Sequence, residues 1–243
     1  MSVENNEDII WCASFDIGKI NFSFYIEEMN RKDLLNIKNI DEKLRFNDDG
    51  TPTDKMNKIL NKIYCNGKTI LHLNLDLTEN CKKGKYLDVE TYHNMIDVLD
   101  NYVSYWDKCS VFVVEQQMSF KGKFNSMALK LGQHCQSYFY FKYGRFKQIV
   151  EFPAYYKTSV LGAQKINKGK CKNGKIKYRN IDKPARKRWT IQKGYDIMEM
   201  RGETDSILLK PKKRGNPIKL DDYADTLCQL MAFKYKCYVD RNI

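Results

Sequence analysis

The stretch IIWCASFDIGKINFSFYI, residues 9–26, holds two apolar runs, Ile9 to Phe15 and Phe22 to Ile26, separated by Gly18-Lys19-Ile20-Asn21. Short apolar runs joined through a glycine-containing turn predict a β-hairpin. Its first strand ends on an acid, Asp16, which an apolar strand does not need for packing.

Working outward, Thr69 to Leu77 reads as a further strand, and the period then changes. Val89, Tyr92, Ile96, Leu99, Val103 and Trp106 recur every three or four residues, as one face of a helix requires. Ser110 to Val114 (SVFVV) is a short buried strand ending at Glu115. A second helix spans about Ser126 to Tyr143, and a strand runs from Phe146 to Phe152, stopped by Pro153. A short helix is expected over Tyr155 to Leu161. A longer one begins at Pro184, a residue suited to a first turn, and leaves at Gly202. The last helix covers about Asp221 to Tyr238. The polar stretch from about Glu27 to Lys68 reads as an insertion. Leu34, Leu35, Ile37 and Ile40 suit an added strand there, and Met56, Ile59, Leu60 and Ile63 a short helix. This order predicts an α/β domain with a mixed sheet covered by helices on both faces. No linker divides the chain, so residues 1–243 are read as a single domain with a polar insertion near 27–68 and a basic loop near 163–183.

Composition narrows the partners. The chain carries 42 Lys and Arg against 30 Asp and Glu, a net charge of +12, which favours polyanions, nucleic acid first. Most of that excess has one address: between Lys157 and Arg188 stand 12 basic residues and a single acid, Asp182. A solvated basic loop is the plainer reading of such a run, and it is compatible with phosphate tracking. No apolar run is long enough to span a bilayer and the N-terminus MSVENNEDII is acidic and polar, so an intracellular protein without membrane contact is expected. The 8 cysteines form no CxxC pair, and several lie in apolar runs, as buried thiols do. His72, His93 and His134 share no ligand spacing and read as structural or surface residues.

Four carboxylates carry the chemistry. Asp16 and Glu115 end strands, and Asp222 and Asp225, three apart, share a face at the start of the last helix. Neighbouring strands about 4.8 Å apart bring equivalent ends close together. Gathered acids repel unless cations neutralise them, and hard divalent ions bound to oxygen do so. Two such ions activate a water and stabilise a leaving oxygen in phosphodiester cleavage.

The local sequences Ser14-Phe15-Asp16-Ile17-Gly18 with Asn21-Phe22, Val113-Val114-Glu115-Gln116-Gln117 and Asp221-Asp222-Tyr223-Ala224-Asp225 resemble, in order, the three acidic motifs of RuvC-type Holliday junction resolvases, especially those of poxviruses and other large DNA viruses. Glu151-Phe152-Pro153, Lys157-Thr158 and the helix of Lys187-Arg188 resemble segments between those motifs. The resemblance implies an RNase H-like fold with a central five-stranded mixed sheet, a homodimer, and paired symmetric nicks in four-way DNA junctions with two Mg2+ or Mn2+ ions. It implies that Asp16 is shared between the metals, that Glu115 and Asp225 each help hold one, and that Asp222 completes the set; Asp221 is expected to cap the helix instead. A viral source would place the protein at a host-cell replication site, cytoplasmic rather than nuclear. The stretch from Glu27 to Lys68 and the loop Lys165 to Arg179 have no counterpart in the family.

A junction is a backbone shape, so its recognition falls to basic side chains. The candidates are Lys187 and Arg188, then Lys212, Lys213 and Arg214, with Lys121 and Lys123 beside Phe120 and Phe124 as rings suited to stacking on opened bases. Each has a plainer reading, a solvated helix face or core packing. Rival functions are a nuclease for flaps, branches or RNA-DNA hybrids and a non-catalytic nucleic-acid-binding protein. A sugar-kinase or actin-like ATPase shares Asp16-Ile17-Gly18, but no second glycine-rich phosphate loop follows, so no nucleotide cofactor is expected.

Overall fold

The computed structural model describes residues 8–81, 87–117, 125–171, 174, 176–210 and 219–242. In chain order the elements are β1 (Ile9–Ile17), β2 (Phe22–Asn30), α1 (Arg31–Leu35), a 3-10 turn (Glu42–Leu44), α2 (Asp54–Cys65), β3 (Lys68–Leu75), α3 (Val89–Asn101), α4 (Val103–Trp106), β4 (Cys109–Gln116), α5 (Ser126–Tyr143), β5 (Gln148–Pro153), α6 (Tyr156–Leu161), β6 (Ile166–Lys170), β7 (Ile176–Arg179), α7 (Lys183–Arg201), α8 (Leu220–Lys234) and a π-helical end (Tyr235–Asp240). They divide between two compact units, residues 1–31 with 67–154 and residues 32–66 with 155–243.

The first unit is a five-stranded sheet in the order β3-β2-β1-β4-β5. β2 pairs antiparallel with both β1 and β3, while β4 pairs parallel with β1 and β5 parallel with β4, the mixed sheet expected. The opening hairpin closes where Gly18 donates its N–H to the carbonyl of Asn21 at 3.0 Å. A Cβ on Gly18 would stand 3.0 Å from that same carbonyl oxygen, so the tight turn needs a glycine there.

Alternation along β1 and β4 sorts their side chains into two sets. Ala13, Phe15, Ile17, Phe112 and Val114 enter an aromatic core with Phe22, Phe24, Met95, Leu99, Trp106, Leu131 and Phe139 from β2, α3, α4 and α5. Phe15 lies 5.6 Å from Trp106 and 5.4 Å from Phe139 between ring centroids, and Phe112 stacks on Phe139 at 4.1 Å. The helix anticipated from Val89 to Trp106 breaks at Tyr102 (φ −109°, ψ 15°), splitting it into α3 and α4. The break turns the Trp106 indole back to donate to the carbonyl of Leu99 at 2.7 Å, so that buried N–H is satisfied.

In the second unit, α8 is buried along most of its length and packs against α6, α7 and α2. Close approach is possible because Gly194 of α7 faces Ala224 of α8: an added Cβ would lie 3.2 Å from the Ala224 methyl. α2 has its expected apolar set, with Met56, Ile59, Leu60 and Ile63 buried. Two sequence expectations are corrected here. Leu34 and Leu35 belong to the short helix α1, not to an added strand. The segment near 163–183, anticipated as a loop, forms the two-stranded ribbon β6-β7. Its pattern hid from a hydrophobicity reading because β6 buries none of its five residues. Among the described residues no helix is long and apolar enough to cross a membrane.

Candidate metal and nuclease site

Asp16 and Glu115 belong to the first unit. The parallel register pairs Phe15 with Val114, so the next residue on each strand, Asp16 and Glu115, falls at matching ends of adjacent strands. Both point to the sheet face opposite the aromatic core, because Phe15 and Val114 point into it. Each is only partly buried, and Asp16 is registered against Ser23 of β2 while Glu115 is registered against Phe152 of β5. Strand pairing therefore fixes this carboxylate pair, and neither acid depends on a loop for its position.

Asp222 and Asp225 belong to the second unit, on the first turns of α8. Three acids crowd this helix start, and each faces its own lysine. Asp221 takes Lys187 of α7, Asp222 takes Lys219 at 2.9 Å, and Asp225 takes Lys157 of α6 at 3.2 Å. Hydrogen bonding to Asp221, reinforced by the charges of Asp221, Asp222 and Asp225, lifts the Lys187 ammonium above the ordinary lysine range against the opposing effect of its partial burial. The positive end of the helix dipole adds to the attraction for these acids. Asp221 is not the helix cap: Lys219 holds that position, makes no side-chain cap hydrogen bond, and leaves Asp221 inside the first turn.

The structure thus gathers the four candidate acids as two pairs, one on β1 and β4 and one on α8. Among the described residues no three His, Cys, Asp or Glu side chains converge closely enough to hold a metal ion by themselves. In donor chemistry the pairs fit a hard divalent cation, since all four candidates are carboxylates and none is a thiol or imidazole. The lysines that α6, α7 and the N-cap position bring to the start of α8 show that this acid cluster already draws cations.

Of the residues read as DNA contacts, Lys187 is engaged by Asp221, while Arg188 is exposed on α7. Phe120, Lys121, Lys123, Phe124, Lys212, Lys213 and Arg214 lie outside the described residues. Lys157 was not among the expected site residues. It is only 7% exposed, and the signal lay in its spacing: on α6 it shares a buried face with Val160 and Leu161, at i+3 and i+4, where an unpaired lysine has no place. The histidines pack against rings, His72 4.7 Å from Tyr25 and His134 5.0 Å from Tyr92, while His93 is exposed. All eight cysteines are free thiols, four of them buried.

No protein-family model matches the chain. It is 33% identical over 255 residues to Uncharacterized protein 170L of Invertebrate iridescent virus 6, covering 96% of this chain and 92% of the relative. Uncharacterized protein 97L of Invertebrate iridescent virus 3 is 28% identical over 228 residues, covering 91% of this chain and 98% of that one. Among solved structures, the yeast mitochondrial Holliday junction resolvase Ydc2 aligns over 95% of this chain and 80% of its own with a TM-score of 0.51 and 13% identity. That likeness shows a shared fold, the mixed five-stranded sheet with its helices.

Proposed function

Since the chain belongs to the family of protein 170L of Invertebrate iridescent virus 6 and has the fold of a junction resolvase, we propose that it is a viral structure-selective endonuclease that resolves four-way DNA junctions by paired, symmetric nicks. The observation that carries this reading is the placing of Asp16 and Glu115 at matching ends of adjacent parallel strands, on the sheet face away from the aromatic core.

In this reading Asp16, Glu115, Asp222 and Asp225 would hold two Mg2+ or Mn2+ ions, Asp16 contributing to both, Glu115 and Asp225 to one each and Asp222 completing the set; the ions would supply activation of a water and charge stabilisation for phosphodiester hydrolysis. Strand pairing holds the first two carboxylates rigid, which favours a fixed geometry at the reacting phosphate. Lys157 and Lys219 balance the α8 acids before substrate arrives. Two symmetric nicks need two sites, so a homodimer belongs to the proposal, as does a replication site in the host cytoplasm.

Cleavage of labelled four-way junctions, flaps, duplexes and RNA-DNA hybrids tests it, using wild type and Asp16→Asn with Mg2+, Mn2+ or EDTA. Paired nicks confined to the junction, abolished by the substitution and by EDTA, are the expected result. Equal cutting of flaps or hybrids would make the protein a broader RNase H-like nuclease. Folded wild-type protein that binds DNA and cuts nothing would leave only a binding function.

A further inference from the structure

The ribbon β6-β7 has no part in the acidic site, yet it concentrates positive charge on an exposed two-stranded element. Pairing of Ile166 with Arg179, Asn167 with Tyr178 and Lys170 with Ile176 fixes which side chains share a face. The register shifts between Asn167 and Lys170, where Gly169 adopts φ +90°, a left-handed conformation that glycine accepts and other residues resist. Continued past Asn167–Tyr178, the first register would set Lys168 opposite Lys177. Alternation then puts Asn167, Lys170, Ile176 and Tyr178 on one face and Ile166, Lys168, Lys177 and Arg179 on the other.

The two faces have different surroundings. Tyr178 is partly buried and lines a concavity with Phe46, Asp49 and Thr51, so its face turns toward the 3-10 turn and the segment after it. Lys168, Lys177 and Arg179 are exposed on the other face, and among the described residues no carboxylate pairs with them. The base of the ribbon is held. Lys165 donates its backbone N–H to the Asp49 carbonyl at 2.6 Å, and the Gln164 amide donates to the Asp49 carboxylate at 3.0 Å. Just before it, Gly162 at φ +80° lies so close to Pro52 that a Cβ would stand 2.4 Å from the proline ring. A hydrophobic partner has little to grip on the outward face, where Ile166 is the only apolar side chain among the described residues of the ribbon.

We propose that this outward face is a docking surface for the phosphate backbone of a DNA duplex, and that within the proposed function it grips an arm of the junction. Charge complementarity selects the occupant: three exposed cations spaced along a ribbon meet a duplex carrying one phosphate charge per about 1.7 Å of axis. Lys177 and Arg179, two residues apart, stand about 6.7 Å apart along their strand, a spacing that spans successive phosphates. Contact is to backbone and not to bases, so the ribbon adds affinity without sequence preference. The inference rests on the proposed resolvase reading for its substrate, but its duplex arm can be tested without any cleavage.

The experiment measures binding of the full chain to a four-way junction and to a plain duplex by fluorescence anisotropy, between about 50 and 200 mM KCl, where each phosphate contact contributes about 0.9 to the salt slope. The triple variant Lys168→Gln, Lys177→Gln, Arg179→Gln is compared with wild type and with a control, Lys38→Gln, Lys58→Gln, Lys62→Gln, that removes the same charge from exposed positions elsewhere. The ribbon variant is expected to lower the slope by about 2.7 on both DNAs, which is about 40-fold less affinity lost over that salt range, and the control to lower it by far less. An unchanged slope, or an equal fall in the control, overturns the proposal. Loss of slope on duplex in a protein that never cuts junctions would uphold the ribbon while removing the resolvase reading, and a wild type that binds neither DNA removes both.

Discussion

Lysine is seldom buried without a partner, and Lys157 finds one in Asp225, 3.2 Å away. Removing one member of such a pair leaves the other charge under-compensated, whereas removing both leaves two neutral groups. Lys157→Met is therefore expected to destabilise the protein by about 1–3 kcal/mol, less than for a fully buried pair because the Asp225 side chain is 24% exposed. Lys157→Met combined with Asp225→Asn should recover part of that loss, read from urea midpoints in a double-mutant cycle; strict additivity would mean that the two charges do not support one another. Asp16 and Glu115 are placed by the backbone. Their place follows from register alone, and the sequence disclosed them as acids at the ends of apolar strands.

Among the elements, the π-helical C-terminal turn is tied to the segment before α2 through Asp240. Its carboxylate, 1% exposed, is paired with Arg45 at 2.9 Å and with Lys236, and it accepts from Asn39 at 3.0 Å. Burial alone would raise its pKa, but the hydrogen bond from Lys236 and the charges of Lys236 and Arg45 outweigh it and hold the group below the ordinary aspartate value. A depressed folded value contributes stability above the unfolded pKa, about 3.9, and loses it as pH falls through the folded one. Asp240→Asn should thus cost about 1–3 kcal/mol at neutral pH, with the gap from wild type closing below about pH 3.9. Chemical denaturation at a series of pH values reads this directly, and a gap that persisted in acid would assign the effect to shape and not to charge. Helix starts and strands were legible at this scale wherever periodicity was strong, as in α2, α3 and α5. The β6-β7 ribbon was not, because an exposed ribbon carries no apolar alternation to read.

For the whole molecule, neither compact unit is a continuous piece of chain. The backbone passes between them after Arg31, after Asn66 and after Ala154, so each unit closes on segments separated in sequence by the other. Such interleaving favours cooperative unfolding, and residues 1–243 are expected to melt in one transition. Trp11 and Trp106 report on the first unit and Trp189 on the second, so Trp189→Phe leaves fluorescence from the first unit alone. Its midpoint should coincide with that of far-UV circular dichroism; separated midpoints would mean two independently folding domains. The acidic motifs spread across the units for the same reason, Asp16 and Glu115 in one, Asp222 and Asp225 in the other.

By itself the sequence determined the order of the five sheet strands and the long helices, the mixed sheet, the acids that end β1 and β4, the aspartates that lead α8 and the concentration of positive charge between Lys157 and Arg188. These are properties of local pattern: apolar period sets the element type, and an acid at the edge of an apolar run marks itself. Only the tertiary structure decided that Lys187 meets Asp221, that Lys157 meets Asp225, that the long helix breaks at Tyr102, and that the basic segment becomes a ribbon with one face turned inward and the other outward. Ion pairs between residues dozens of positions apart, and the choice of which lysines remain unpaired, depend on how helices and strands pack, which no spacing along the chain encodes.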